Sequence, residues 1–165
     1  IMIEGTVFHY NVDSIKEDIF SLKEVIEKAK SYNDFDLKEY LIIDEKLEKW
    51  KYLKGGKRIE RKTKEGHSYI YSEGNMAFPE NMEEPARTLL TSEGTTNRSS
   101  HIIYDNKQKK YRTLTEIECE IIQMFPPNWT DTMPKRNRYF MMGNALVTGI
   151  ISRLEPTLKK IIENE

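Results

Sequence analysis

A single cysteine, Cys119, stands in this 165-residue chain, so it can form neither an internal disulfide nor a multi-cysteine zinc site. No apolar run is long enough to span a bilayer, and no basic start followed by an apolar stretch marks a secretory signal. A reducing, cytoplasmic setting is the default expectation, with no membrane partner. His9, His67 and His101 lie far apart and share no ligand spacing, so no metal is expected. Charge of one sign is lacking too: 26 Lys+Arg against 27 Asp+Glu leave a net charge of −1. Gly55-Gly56-Lys57 lacks the upstream glycine and the following hydroxyl of a phosphate loop, and reads as a helix stop. Glu118 and Glu120 flank Cys119 and disfavour its thiolate. The residues alone offer no catalytic centre. The start Ile1-Met2-Ile3 reads as a piece cut from a longer polypeptide, or as a processed terminus.

What is present is enough for one domain. Hydrophobic residues make up 38 % and charged residues 32 %, but 10 % aromatics with two tryptophans argue against disorder. The neutral total hides a local asymmetry. Acids dominate from Ile1 to Glu45, and from Lys46 to Lys64 the sign reverses. In that second stretch cations are interleaved with Trp50 and Tyr52 and followed by Tyr69 and Tyr71.

The spacing of Ile15, Ile19, Leu22, Val25, Ile26 and Ala29 predicts a first helix from Asp13 or Ser14. Asp44 is placed to cap a second over Glu45 to Leu53, stopped by Gly55-Gly56. Ser68 to Tyr71 and His101 to Tyr104 read as strands, separated by a long polar stretch from Ser72 to Ser100. Thr115 and Glu118 form a Thr-x-x-Glu capping box for a third helix, ended by Pro126-Pro127. A last helix is expected to begin near Gly143-Asn144-Ala145, with Pro156 interrupting it. The basic stripe has two readings, a solvated cationic surface or a set of phosphate contacts. On the second reading Lys57, Arg58, Arg61 and Lys62 are phosphate anchors. The polar loop then supplies base readers from among Arg87, Thr88, Ser92, Glu93, Thr95, Thr96, Asn97 and Arg98.

The segment Tyr111 to Trp129, YRTLTEIECEIIQMFPPNW, resembles the ninth motif of the DNA cytosine-5 methyltransferases, R-x-L-T-x-x-E-x(4)-Q-x-F-P. Arg112, Leu114, Thr115, Glu118, Gln123, Phe125 and Pro126 all fall on it without a gap. Tyr139-Phe-Met-Met-Gly143-Asn144-Ala145 looks like the tenth motif, and Arg87-Thr88-Leu89 resembles a Thr-Leu pair of the target-recognition region. The family's glycine-rich donor loop, Pro-Cys nucleophile, Glu-Asn-Val and Gln-x-Arg-x-Arg do not occur in this chain.

The resemblance implies a parent enzyme that flips cytosine out of duplex DNA, attacks C6 with a cysteine and methylates C5 from S-adenosylmethionine. It implies an α+β fold: a small irregular β-rich target-recognition lobe with flanking helices, part of a larger two-domain α/β methyltransferase. Residues 1–110 would be the recognition region, and 111–165 the ninth-motif and tenth-motif helices. Asn144 and Ala145 would lie beside the methyl donor. The chain alone would be catalytically silent, with double-stranded DNA and the missing catalytic domain of the same polypeptide as partners. Leu146, Val147, Ile150 and Ile151 would be partly orphaned without that domain. Localisation would be bacterial-type and nucleoid-associated. The stretches YLKGGKRIERKTKEGHSYIYSEG and RTLLTSEGTTNRSSHII resemble recognition regions of restriction-modification methylases that modify the cytosine of GATC. The alternative from another class is a stand-alone DNA-binding or protein-interaction module without catalysis.

Overall fold

Residues 1–11, 16–32 and 36–164 are described by the structure, a computed structural model. Among them run three separate two-stranded antiparallel sheets and five α-helices, so the architecture is α+β. A short hairpin, β1 (Met2–Ile3) with β2 (Thr6–Val7), opens the chain.

Helix α1 spans Leu22–Lys30. It begins later than the apolar spacing predicts; Asp13 and Ser14 lie outside the described residues, and Lys16–Phe20 are not helical. The reason is a capping box at Ser21: its Oγ accepts from the Glu24 N–H at 3.3 Å, while the Glu24 carboxylate accepts from the Ser21 N–H at 2.8 Å. Helix α2 spans Asp44–Lys54. Its N-cap is Ile43 and no side chain caps it, so Asp44 sits inside the first turn, where its charge favours the helix dipole, rather than at the cap.

Strands β3 (Lys57–Lys62) and β4 (Ser68–Glu73) form a second hairpin, with Lys57 opposite Glu73 and Lys62 opposite Ser68. The third pairs β5 (Ile102–Asp105) with β6 (Lys110–Thr113). The division expected at residues 110 and 111 falls inside this third hairpin.

Helix α3 (Glu116–Ile122) is the hub, packed against α1 on one side and α4 (Lys135–Asn144) on the other. The main cluster gathers Leu22, Leu89, Ile103, Leu114, Cys119, Tyr139 and Met142 around it. A second holds Val25, Ala29, Ile117 and Ile121. Each fully buried Leu or Ile contributes roughly 1.5–3 kcal/mol relative to exposure. Ile42, Trp50 and Ile102 make a third cluster beneath α2.

Gly143 and Asn144 close α4 rather than opening the last helix, which is a correction to the expected boundary. A Cβ on Gly143 would meet the backbone of Leu90 and Thr91 at 2.3–2.4 Å, so the glycine is required for helix and loop to approach. Helix α5 starts only at Thr148, whose N–H donates to the Gln123 carbonyl at 3.0 Å. It runs to Glu163, and Pro156 lies inside it without breaking it, at an exposed position.

Candidate nucleic-acid interface

Three glutamates on one short helix set the frame. Glu116, Glu118 and Glu120 are all buried on α3, and each is satisfied by a different part of the chain. Arg112 from β6 grips Glu118 with two parallel bonds, Nη1 to Oε2 at 2.8 Å and Nη2 to Oε1 at 2.6 Å. The same carboxylate accepts from the Thr115 N–H at 2.8 Å, and Thr115 Oγ1 accepts from the Glu118 N–H at 3.2 Å, completing the predicted capping box. Burial pulls the Arg112 guanidinium down, but the Glu118 bonds outweigh this and hold it above its ordinary value. Gln123 Nε2 donates to the Met142 carbonyl at 2.7 Å and so ties α3 to α4. Phe125 is half-buried against the main cluster, while Pro126 is exposed just beyond the helix.

Glu116 and Glu120 were not legible as buried anchors. The Tyr40 hydroxyl donates to Glu116 at 2.6 Å. Glu120 accepts from the Asn128 and Thr130 N–H groups and from Arg138 Nη2 at 2.8 Å. Only the alternation Glu-x-Glu-x-Glu signalled that something unusual occupies this helix. Cys119 lies fully buried between them. Burial first, then the carboxylates of Glu93, Glu118, Glu116 and Glu120, push its thiol well above the ordinary value, which disfavours a nucleophilic role.

The β3–β4 hairpin stands apart from this packing. From Arg58 to Ile70 every residue is exposed. Lys57 Nζ pairs with Glu73 at 2.9 Å and also donates to the Leu53 carbonyl at 3.2 Å. Arg61 stacks over the Tyr71 ring, 3.6 Å from its centroid. Glu73 accepts from the Tyr71 hydroxyl and from Lys57, and these two bonds lower its carboxyl below the usual range. Of the four expected phosphate anchors, Arg58 and Lys62 are thus exposed and without a side-chain partner among the described residues, and Lys57 and Arg61 are partly engaged.

The polar stretch after β4 has no strand or helix through His101, and its side chains mostly bond within the lobe. Arg87 donates Nε and Nη2 to Glu80, at 3.0 and 2.6 Å, and Nη2 also reaches the Ser99 carbonyl. Lys54, buried at 1 % exposure, pairs with the same Glu80 at 3.4 Å. Burial pushes the Glu80 carboxyl up, but Arg87 with Lys54 outweighs that and holds it below the usual range. Desolvation lowers Lys54 despite Glu80. Glu93 accepts from the His101 backbone N–H at 2.8 Å and meets its ring Nδ1 at 2.9 Å, and both residues are buried.

Arg98 binds three carbonyls: Leu53 at 2.6 Å and Gly55 at 3.0 Å through Nη1, and Gly74 through Nη2. Asn97 Oδ1 accepts from the Ser99 N–H at 3.0 Å. Ser92 shares a bond with Ser99, and Thr95 donates to the Ser92 carbonyl. Thr88 and Thr96 alone among the expected readers are exposed with no side-chain hydrogen bond among the described residues. The guanidinium groups of Arg87 and Arg98 are thus engaged within the lobe.

Asn144 is exposed at the end of α4, its Nδ2 donating to the Phe140 carbonyl at 3.1 Å. Ala145 beside it is half-buried. Two cavities, one lined around Ser21, Lys23 and Glu83 and one around Tyr40, Trp50 and Thr95, do not include either residue. Among the described residues no cluster of His, Cys, Asp or Glu suits a metal, and no helix is long and apolar enough to cross a membrane.

Helix α5 carries no buried residue: Ile150, Ile151, Leu154, Leu158, Ile161 and Ile162 on it are all exposed, as is Leu146 just before it. An apolar stripe of this length on a sixteen-residue helix is more than scattered surface hydrophobes account for.

Against known proteins, the family model described as C-5 cytosine-specific DNA methylase matches residues 4–160. The Type II methyltransferase M.Sau3AI of Staphylococcus aureus is 43 % identical over 161 residues, which is 98 % of this chain and 37 % of that protein. The chain therefore spans little more than a third of the length of the curated relative it matches. No solved structure matches it.

Proposed function

The chain belongs to the C-5 cytosine-specific DNA methylase family, and from that premise we propose that it is the carboxyl-terminal, target-reading part of a DNA (cytosine-5) methyltransferase of a restriction-modification system. The observation that carries this reading is the division of charge. The family-motif residues Arg112, Thr115 and Glu118 bond one another inside the hub, while Arg58 and Lys62 project on an exposed hairpin suited to phosphates.

In the parent enzyme S-adenosylmethionine supplies the methyl group. This chain contributes Asn144 and Ala145 to one edge of that donor's site. Its own part is recognition. Residues 1–110 approach the duplex, and residues 111–165 fix that lobe through the hub and dock through α5. The exposed stripe from Leu146 to Ile162 supports docking against the missing catalytic domain. Cys119 is no nucleophile on this reading, because a fully buried thiol with a raised pKa cannot reach a cytosine. The likeness of residues 52–74 and 87–103 to regions from GATC methylases supports GATC as the target. The protein acts in the bacterial cytoplasm, on the nucleoid.

Bisulfite sequencing of DNA from cells making the full-length polypeptide that carries this chain tests the proposal. Methylated cytosine in one fixed context, GATC, is the expected result, and no sequence-specific methylation would contradict it. The 165-residue chain alone should transfer no label from S-adenosylmethionine to duplex DNA.

A further inference from the structure

The two faces of the β3–β4 hairpin differ in a way that charge counting does not reveal. Direct partners in an antiparallel ladder share a face and neighbours along a strand alternate. Lys57, Ile59 and Arg61 therefore lie on one face with Tyr69, Tyr71 and Glu73, and Arg58, Glu60 and Lys62 lie on the other with Ser68, Ile70 and Ser72. The first face is internally engaged: Lys57 pairs with Glu73, Tyr71 bonds Glu73, and Arg61 covers Tyr71. Arg98 joins this side, 3.2 Å from Glu73, while gripping the carbonyls of Gly55 and Gly74 at the two roots of the hairpin. The ribbon is thus bolted at its base. On the second face no side chain of Arg58, Glu60 or Lys62 has a partner among the described residues, and Ile70 beside them is 55 % exposed.

Resting on the DNA-reading function proposed above, we infer that the Arg58–Glu60–Lys62 face enters the major groove, that Glu60 is a specificity-determining residue, and that Arg98 positions the ribbon. A two-stranded ribbon fits the major groove. Side chains two residues apart on a strand are about 6.7 Å apart, close to two base-pair steps of ~3.4 Å each, so Arg58, Glu60 and Lys62 can address successive alternate positions. Glu60 carries the inference. A carboxylate in the middle of a phosphate-binding face is repelled by the backbone and weakens binding unless it meets a donor. In the major groove that donor is an exocyclic amine, and a carboxylate suits the cytosine N4 amine. Arg58 and Lys62 on either side of it hold the phosphates at the edge of the groove.

The test is selection from a pool of randomised duplex DNA by the full-length polypeptide that carries this chain, comparing wild type, Glu60→Gln and Arg61→Gln. Both substituted positions are exposed, so the variants keep the fold. For Glu60→Gln, preference at a single position should fall roughly 10-fold or more and drift from cytosine toward adenine, which glutamine reads, while the rest of the motif stays. Arg61→Gln, on the bolted face, should keep the wild-type motif and lose only general affinity. If Glu60→Gln enriches the wild-type motif unchanged and merely binds every duplex more tightly, Glu60 only tempers charge and the inference is overturned. A changed motif for Arg61→Gln overturns the choice of face. A wild-type protein that enriches no motif overturns the proposed function itself, so the two failures are told apart.

Discussion

Arg112 and Arg58 are the same side chain in opposite circumstances. Arg112 is 2 % exposed and spends its fork on Glu118, whereas Arg58 stands on an exposed strand with no partner among the described residues. The contrast extends to their regions. Around α3, Glu116, Glu118 and Glu120 are each taken up by a donor from elsewhere in the chain. On the outer face of the β3–β4 hairpin Arg58, Glu60 and Lys62 are left over. Buried charge must be paired, because an isolated ion in the interior is too costly. Exposed charge need not be, and a group of it held on a bolted ribbon is available for a partner. On the proposed reading, unpaired charge rather than abundance of charge marks the interface.

The widest gap between the two regions should appear on cutting the hub's central pair. Arg112→Ala or Glu118→Ala takes the main partner from a buried charge, and each should cost about 3–5 kcal/mol in urea melts. A loss under 1 kcal/mol would mean that the pair is not held as described.

Arg87→Gln comes next. Glu80 would keep only Lys54, at a cost of ~1–3 kcal/mol. The pH dependence has a definite sign. Glu80 is held below its unfolded value, so its contribution is present above about pH 4.3 and is lost as pH falls through the lower folded value. Without Arg87 the carboxyl rises, and acid unfolding should start at higher pH. An unchanged acid midpoint together with altered base preference would return Arg87 to the role of base reader.

Thr115→Ala should cost ~0.5–2 kcal/mol through the lost cap. Combined with Glu118→Ala it should cost less than the sum, since both remove one capping box. Strict additivity would break the box. The smallest effect belongs to the hairpin: Arg58→Gln and Lys62→Gln should each stay within ~0.5 kcal/mol of wild type in the same melts, and a larger loss would place them in the packing after all.

Elements whose partners lie far in sequence were not readable, and of those whose partners lie close only some were. The Thr115–Glu118 box is local, three residues apart, and formed as read. The equally local Ser21–Glu24 box was masked by an apolar period that runs back through Ile19, which is 58 % exposed. Strand β3 is Lys-Arg-Ile-Glu-Arg-Lys and has no apolar alternation, because a ribbon exposed on both faces needs none. Strand β4 was visible through Tyr69, Ile70 and Tyr71. Glu120 and Arg87 depend on partners brought by the fold, Thr130 with Arg138 in one case and Glu80 in the other. Gly143 was noticed as a motif residue, but its reason, the backbone of Leu90 and Thr91 against α4, lies some fifty residues upstream in the chain.

The central claim is that the free hairpin charges meet the phosphates of DNA. The salt dependence of duplex binding by the full-length polypeptide tests it most directly, with Arg58→Gln/Lys62→Gln set against Lys159→Gln/Lys160→Gln on α5. Each lost phosphate contact reduces the slope of log affinity against log salt by ~0.9. The hairpin pair should therefore flatten the slope by roughly 1.8, while the α5 pair leaves it at the wild-type value. Equal slopes for all three proteins, or a loss confined to the α5 pair, would contradict the account.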